Sequence, residues 1–459
     1  MANFIIFTQS HHLLPLNERL RRKGHKVIYA ILSGEEAEGK PASSNLEKIK
    51  EERYSHLGEN IITAFPAAEV SNILNKKLLK DTYIIFDFNY GWQYAEPLMK
   101  MGYPGFFSMK WAYDLERDRD TSIQFVKKQY PLIQLPETHT IPGKAIGNFL
   151  KSYQQKIWVI KPNTEELFTF VPQSEEPALA YEEAQVYLQE NQEALNKTTV
   201  IMQEKIIGTE VVCETGYANG NPVWASIDLE NKYLFPEEKG MQTGCSFDLT
   251  QFIPLNAPIR EILNAPFDKI AKQMNLTGIM DIDVIFSHQN GKPYFLEFCP
   301  QRFGYNAIFS EWTIWGETDI DEFLLKWFNG NLLIDDYSPY GASIRLFNLN
   351  YAQNLLKYLL EDKFEFPSFL IRSDKGIWLW DVFKEDETLK LCLADFNTAI
   401  VTEVSDTPEG ALTRVKRTAR FNIDFEGKYY RSDIDEFSMA YNPAWRYEFL
   451  VGKKLLEVF

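Results

Sequence analysis

The stretch DIDVIFSHQNGKPYFLEFCPQRFG, residues 281–304, decides the fold. Two apolar runs flank Asn290-Gly291, the pattern of a β-hairpin. The even positions Ile282, Val284, Phe286, Tyr294, Leu296 and Phe298 are apolar, whereas Asp281, Asp283 and Glu297 are odd. A two-residue Asn-Gly turn would set the acids of one strand beside the apolar face of the other. A three-residue loop, Gln289-Asn290-Gly291 with a left-handed glycine, restores the match and predicts Asp283 opposite Glu297. Facing acids destabilise a strand pair unless a cation, a proton or solvent compensates them. Mg²⁺ (or Mn²⁺) is the natural partner, a hard ion held by one or two carboxylates together with phosphates. From the hairpin alone, a simply solvated face is favoured over an ion.

Outward from the hairpin, residues 1–110 alternate short apolar runs such as NFIIFT, HKVIYAIL and TYIIFDF with amphipathic stretches. That alternation predicts a parallel sheet covered by helices. Ligands of such sheets lie beyond the strands' carboxyl ends, so Gln9–His12 and Asn89–Gly91 are candidate pocket loops. Plain connections are an equal alternative, and nothing in the spacing makes His11 and His12 a metal pair. Residues 111–335 hold longer strands with hairpin signals, Asn219-Gly220 among them. Residues 340–459 predict a smaller α+β domain, whose helix starts at Asp406-Thr407 before Pro408 and Glu409.

At 459 residues, 45% hydrophobic and 24% charged, the chain reads as a globular protein of two to four domains. Its net charge of −16 argues against a broad grip on nucleic acid or anionic membrane. Cys213, Cys245, Cys299 and Cys392 have no paired spacing, so neither a zinc cage nor a disulfide framework is expected. The start, MANFIIFTQSHH, lacks the features of a signal peptide, and no run approaches the ~18 apolar residues of a membrane span. A cytoplasmic location is expected.

Lys161 ends the strand IWVIK, VIMQEKIIGTEVV follows some forty residues on, and the carboxylate hairpin comes third. This order resembles the ATP-grasp superfamily, in particular phosphoribosylamine–glycine ligase (glycinamide ribonucleotide synthetase). LEFCPQRFG is similar to that family's E-F-N-x-R-F-G signature, QTGCS (242–246) to its N-T-G-G-M loop, and TPEGALTRVKRTARFNIDFEGKYYRSDID to its C-terminal helix and strand. The resemblance implies a multidomain α/β and α+β chain. A Rossmann-like domain would span 1–110, an ATP-grasp domain 111–335 with a lid at about 130–206, and a small α+β domain 340–459.

It implies ATP and Mg²⁺ as cofactors, with a small-molecule carboxylate and an amine as substrates. Gln203, Glu204, Lys205 and Ile206 would meet the adenine edge and Glu210 the ribose, the alternative being a polar strand terminus with an exposed acid. Lys161 would neutralise phosphate rather than snorkel at the surface. Arg119 sits at another phosphate-facing position, although an i,i+4 ion pair on a charged helix is the favoured reading. Asp283 and Glu297 would hold the metal, and Arg302 would stabilise an acyl phosphate during transfer. Thr243, Gly244 and Asn306 would contact substrate.

Three positions depart from the family. Cys299 replaces an Asn, and a thiol is a poor ligand for Mg²⁺. Gln301 could supply an amide oxygen instead, leaving Cys299 as a packing residue. NTEELFTFV (163–171) replaces a glycine-rich loop with a lysine, and its Glu165 and Glu166 would repel phosphate. TQSHH follows the first strand in place of a glycine-rich motif. The expected activity is therefore an ATP-dependent ligase forming an amide through an acyl phosphate, with substrates other than the family's own phosphoribosylamine and glycine. The alternatives are a nucleotide-binding sensor or scaffold, or a kinase on the same fold.

Overall fold

The computed structural model describes all residues except 10, 34–55, 165, 166, 168, 238, 304, 305, 361–363 and 435–459. Near the N-terminus, β1 (Asn3–Thr8), β2 (Lys26–Ile31), β3 (Ala64–Pro66), β4 (Thr82–Phe86) and β5 (Gly105–Phe106) form a parallel sheet in the order β3-β2-β1-β4-β5. Both faces of β1 are buried. Ile5 and Phe7 pack towards the helices Ala67–Leu74 and Trp92–Lys100, while Phe4 and Ile6 join the aromatic cluster of the helices Asn306–Trp315 and Ile320–Phe328. A strand apolar at four consecutive positions, Phe4 to Phe7, needs such a two-sided cover.

An antiparallel sheet of β6 (Thr138–Pro142), β7 (Trp158–Pro162) and β8 (Thr199–Glu204) runs in the order β6-β8-β7. Its own small core joins Trp158, Ile160, Val200 and Met202 to Ile146, Leu150, Ala184 and Leu195 of two helices.

The third sheet is the largest. It contains β9 (Gly208–Ala218), β10 (Asn221–Phe235), β11 (Lys239–Phe252), β12 (Gly278–Ser287), β13 (Pro293–Phe298) and β14 (Tyr340–Asn348). Their order is β13-β12-β9-β10-β11-β14, continued by the strands Asn397–Ser405 and Ile377–Leu379. Residues beyond 340 thus extend the central sheet, because β14 pairs with β11 over Gly341–Ile344. The helix Pro408–Phe421 begins as expected, with the Thr407 hydroxyl accepting from the Gly410 N–H at 3.1 Å.

The hairpin pairs Asp283 with Glu297, but not through a three-residue loop. Near the turn the partners are Phe286–Pro293, Ile285–Tyr294 and Val284–Phe295, so the connection has an even length. The register then shifts, with Leu296 as an extra residue in β13. This bulge puts Phe295 in the core beside the expected Phe298, their rings 4.8 Å apart, in place of the expected Tyr294 and Leu296. It also leaves the Leu296 carbonyl free of the ladder, where the Arg119 guanidinium donates to it.

Among the described residues, no helix is long and apolar enough to cross a membrane.

Candidate active site

Strict alternation along β9, β10 and β12 sorts the central sheet into two chemistries. Val211, Cys213, Ile227, Leu229, Ile282 and Val284 face the main hydrophobic core. The opposite face carries Glu210, Glu214, Asp228, Glu230, Lys232, Asp281 and Asp283, brought side by side by the pairs Asp281–Glu214 and Ile285–Glu210. Part of this polar face floors a cavity of about 720 Å³. Lys161, Gln203 and Val159 of the smaller sheet wall one side, while His12, Phe88 and Tyr90 from the N-terminal loops and Trp380, Asp395 and Asn397 close the far end.

The Lys232 amine stands among four carboxylates. It lies 2.5 Å from Glu210, 3.3 Å from Glu297, 3.6 Å from Asp283 and 3.8 Å from Glu230. Burial alone would depress this amine, yet Glu210, Glu297, Asp283 and Glu230 together hold it well above the usual lysine range. Burial pushes Asp283 up despite Lys232, and raises Glu230 to about 7. Glu297 goes the other way. Burial would raise it, but Lys232, Lys161 and Arg302 outweigh that and bring it to about 2. Its side chain is 46% exposed to the cavity, so the carboxylate stays ionised and reachable.

Cations face this acidic floor. Burial and the charge of Arg119 lower Lys161 to about 8. Arg119 forms no helix ion pair: it lies over the Phe295 ring at 5.1 Å, and its Nε and Nη2 are buried without hydrogen-bond partners. The favoured reading of Arg119 is therefore corrected: its guanidinium turns inward, where its charge acts on Lys161 and Glu297, although it does not itself line the cavity. Arg302 lines the cavity, clamped by donating two bonds to Glu116 at 2.6 and 3.1 Å and lying 4.3 Å over Phe88.

Other expected residues divide. Gln203, Glu204, Lys205, Ile206, Glu210 and Gly244 all line the cavity. The N–H groups of Glu204 and Lys205 are spent on the carbonyls of Glu137 and Ile157, which leaves the Ile206 amide for a ligand edge. Glu210 belongs to the set around Lys232. Thr243 donates its hydroxyl to the Lys232 carbonyl at 3.0 Å, and neither it nor Asn306 lines the cavity. Asn306 is fully buried, its Oδ1 accepting from Arg345 at 2.6 and 3.1 Å. Gln301 is fully buried off the cavity wall, where it accepts from the Ile279 N–H at 2.7 Å and donates to the Phe107 carbonyl at 2.9 Å. Only glycine fits at 278, because a Cβ there would meet the Gln301 amide at 2.1 Å. Cys299 is not core packing but half-buried at the cavity wall.

The segment after β7 folds back along it, Phe170 exchanging two backbone bonds with Ile160. Thr169 and Val171 thereby reach the cavity. Glu165 and Glu166, expected to repel phosphate, lie outside the described residues, as do Ser10 of the first pocket loop and Gly304 of the signature. His11 is buried, and His12 lies against Trp380 with ring centroids 5.4 Å apart. Burial, then Arg302 and Arg345, lower His12 to about 3, so it faces the cavity as neutral imidazole.

Beyond the cavity the polar face continues beneath the helix Asn306–Trp315. Ser226 donates to Glu311 at 2.5 Å and Ser310 to Asp248 at 3.2 Å. Burial raises Glu311 to about 8, so it holds its proton at neutral pH, and raises Asp248 to about 6 against the hydrogen bonds it accepts from Ser310 and Ser343.

Sequence reasoning missed Lys232, Glu230, Arg345 and Glu116. The first two carry a visible signal, since SIDLENK places Ser226, Asp228, Glu230 and Lys232 on alternate positions of one strand. Arg345 and Glu116 give no local sign of their partners, Asn306 and Arg302.

No family model and no curated protein matches the sequence. Solved structures do match in shape. A phosphoribosylamine–glycine ligase from Thermotoga maritima superposes with a TM-score of 0.58 at 16% identity, over 94% of this chain and 100% of that one. A biotin carboxylase from Campylobacter jejuni, in complex with β,γ-ATP, gives 0.56 at 13% identity over 97% and 96%. The biotin carboxylase domain of a Hydrogenobacter thermophilus 2-oxoglutarate carboxylase, with MgADP, ADP and bicarbonate, gives 0.57 at 11% over 99% and 98%. The likeness is one of fold, and the fold is ATP-grasp.

Proposed function

We propose that this ATP-grasp chain is an ATP-dependent carboxylate–amine ligase. One observation carries the reading: Lys161 and Arg119 stand beside Glu297, and the buried Arg119 Nε and Nη2 have no partner of their own. Buried guanidinium donors left unpaired are costly unless an anion completes them. A triphosphate answers both the orphaned donors and the acidic floor, provided a divalent ion accompanies it. Asp283, whose Oδ1 is buried without a partner, and Glu297 would hold that ion, which neutralises charge between phosphates.

The base would lie against Gln203, Lys205 and Ile206, where the Ile206 amide is available. The far end would take the other substrates. There Arg302 and Arg345 supply two fixed cations for a carboxylate, each oriented by a partner (Glu116, Asn306) rather than by the substrate. The substrate carboxylate attacks the γ-phosphorus and ADP leaves. An amine then attacks the acyl carbon, phosphate leaves, and the amine proton passes to solvent. Lys161 and Arg119 bear the charge that builds on the transferred group, and Arg302 the charge on the acyl phosphate.

A second reading, a nucleotide-binding relative without ligase activity, draws on the 169–171 segment being bonded to β7 rather than forming a glycine-rich flap. Incubation with ATP, Mg²⁺ and panels of carboxylic acids and amines separates the readings. The ligase releases ADP and phosphate only when an acid and an amine are both present, with a product heavier by amide formation. Nucleotide binding without turnover on any pair favours the sensor, and a phosphorylated product without an amide favours a kinase.

A further inference from the structure

The far end of the cavity, beyond the place proposed for the nucleotide, joins two kinds of surface. The first is a continuous aromatic wall. Ring centroids are 4.2 Å apart from Tyr90 to Phe88, 5.7 Å from Phe88 to His12 and 5.4 Å from His12 to Trp380. All four residues are half-buried and line the cavity. Rings that keep part of their surface open inside a pocket favour a flat, apolar occupant. His12 adds no charge to this wall, because burial and the neighbouring arginines keep it neutral.

The second surface is polar and has bonding capacity left over. Arg345 lies 5.0 Å over the Trp380 ring, and its Nε, Nη1 and Nη2 each spend one N–H on Asn306 or on the Thr243 carbonyl. A guanidinium carries five N–H groups, so two remain. Asp395 accepts from the Asn397 N–H at 3.0 Å and from the Asn397 Nδ2 at 3.2 Å, both on Oδ1, which leaves Oδ2 for a donor. The Oδ1 of Asn397 and the Nε1 of Trp380 are buried without partners. A spare cation and a spare carboxylate oxygen beside an aromatic wall match a molecule that carries a carboxylate, an ammonium and a flat apolar group close together.

The two arginines have different surroundings. Arg302 lies 4.3 Å over Phe88, and its charge helps hold Glu297 ionised at the phosphate end. Arg345 is set between Asn306 and Trp380, with Asp395 close enough to act on its charge. A carboxylate on Arg302 is thus in position for phosphorylation, whereas a carboxylate on Arg345 belongs to the partner that supplies the amine.

We infer that the amine substrate is an α-amino acid with an aromatic side chain, its carboxylate on Arg345, its ammonium on Asp395 and its ring against Phe88 and Trp380. The ammonium gives up a proton to solvent before the amine attacks. The role as amine donor rests on the ligase reading, but the binding itself does not.

The test is calorimetric titration of the full chain, with and without ADP and Mg²⁺. The best of phenylalanine, tyrosine and tryptophan should bind at least about tenfold more tightly than alanine, and than its own decarboxylated and deaminated analogues. Asp395→Asn should weaken that amino acid at least about fivefold and spare its deaminated analogue. Trp380→Leu should remove most of the advantage over alanine, with Phe88→Leu as a second variant of the same wall and thermal transitions checking that each is folded. No binding of an aromatic amino acid in either condition, or equal binding of alanine or of either analogue, overturns the inference. ADP release with small aliphatic amines as readily as with aromatic amino acids would overturn it and leave the ligase reading standing. Selective binding without ADP release on any carboxylic acid would do the reverse.

Discussion

Replacing Lys232 by Met should destabilise the central sheet by about 3–5 kcal/mol at pH 8, the cost of removing one partner from a buried ion cluster. The amine is only 16% exposed and touches four carboxylates, so its loss strands Glu210, Glu230, Asp283 and Glu297 against each other. The pH dependence follows from the directions of the shifts. The raised Lys232 amine stabilises the fold below the unfolded lysine value of about 10.4 and ceases to as the pH climbs through its folded value. Depressed Glu297 contributes above the unfolded value of about 4.3, and that contribution disappears as the pH falls through about 2.

Without the amine, Glu230, already at about 7, and Asp283, already raised by burial, lose the charge that lowers them and are held further above their unfolded values. The folded variant then binds more protons than the unfolded chain, and its stability falls as the pH rises from about 4.3 through 7. Urea unfolding at pH 5 and pH 8 should therefore show a much smaller penalty at the lower pH. Lys232→Arg should recover most of the loss. Equal penalties at both values would mean that packing, not charge, explains Lys232.

The second large effect concerns chemistry. Glu297→Gln should lower ADP and phosphate release with a productive acid–amine pair by about 10²–10³-fold, the usual scale for removing one charged contact to a transition state. Glutamine keeps the size of the side chain but gives up the ion pair with Lys232, so the variant is compared at a temperature where its thermal transition shows it folded. A variant that turns over normally would place the divalent ion elsewhere.

Much of the architecture was legible because hydrophobic period reports burial directly. NFIIFT and TYIIFDF, apolar at consecutive positions, could only be covered strands, and they became neighbours in a parallel sheet. The facing of Asp283 and Glu297 was also legible, but for a different reason from the one the turn suggested. A bulge at Leu296 leaves no signature in composition, and it decided which phenylalanines point inward.

The site was legible where one strand carried it. Asp283 follows from alternation within one strand, Lys161 and Glu210 were named on the family resemblance, and Lys232 and Glu230 could have been read from the alternation of SIDLENK. Arg119 was misread because its helix looked charged on all sides, while the acceptor that draws it inward, the Leu296 carbonyl, lies 177 residues away. Asn306 and Gln301 show the same limit. Each has polar atoms suited to a ligand, and each is consumed by a distant partner that only the folded chain supplies. The continuous central sheet across residue 340 likewise depends on β14 meeting β11, a pairing that no local pattern encodes.

The central claim is that a nucleoside triphosphate lies between Lys161 and the acidic floor. Equilibrium unfolding with ATP and Mg²⁺ at a hundredfold excess over the dissociation constant tests it most directly. The native chain should gain roughly 3 kcal/mol, and Lys161→Met should lose most of that gain while unfolding normally in the absence of ligand. No stabilisation of the native chain, or the same stabilisation in Lys161→Met, would contradict the account.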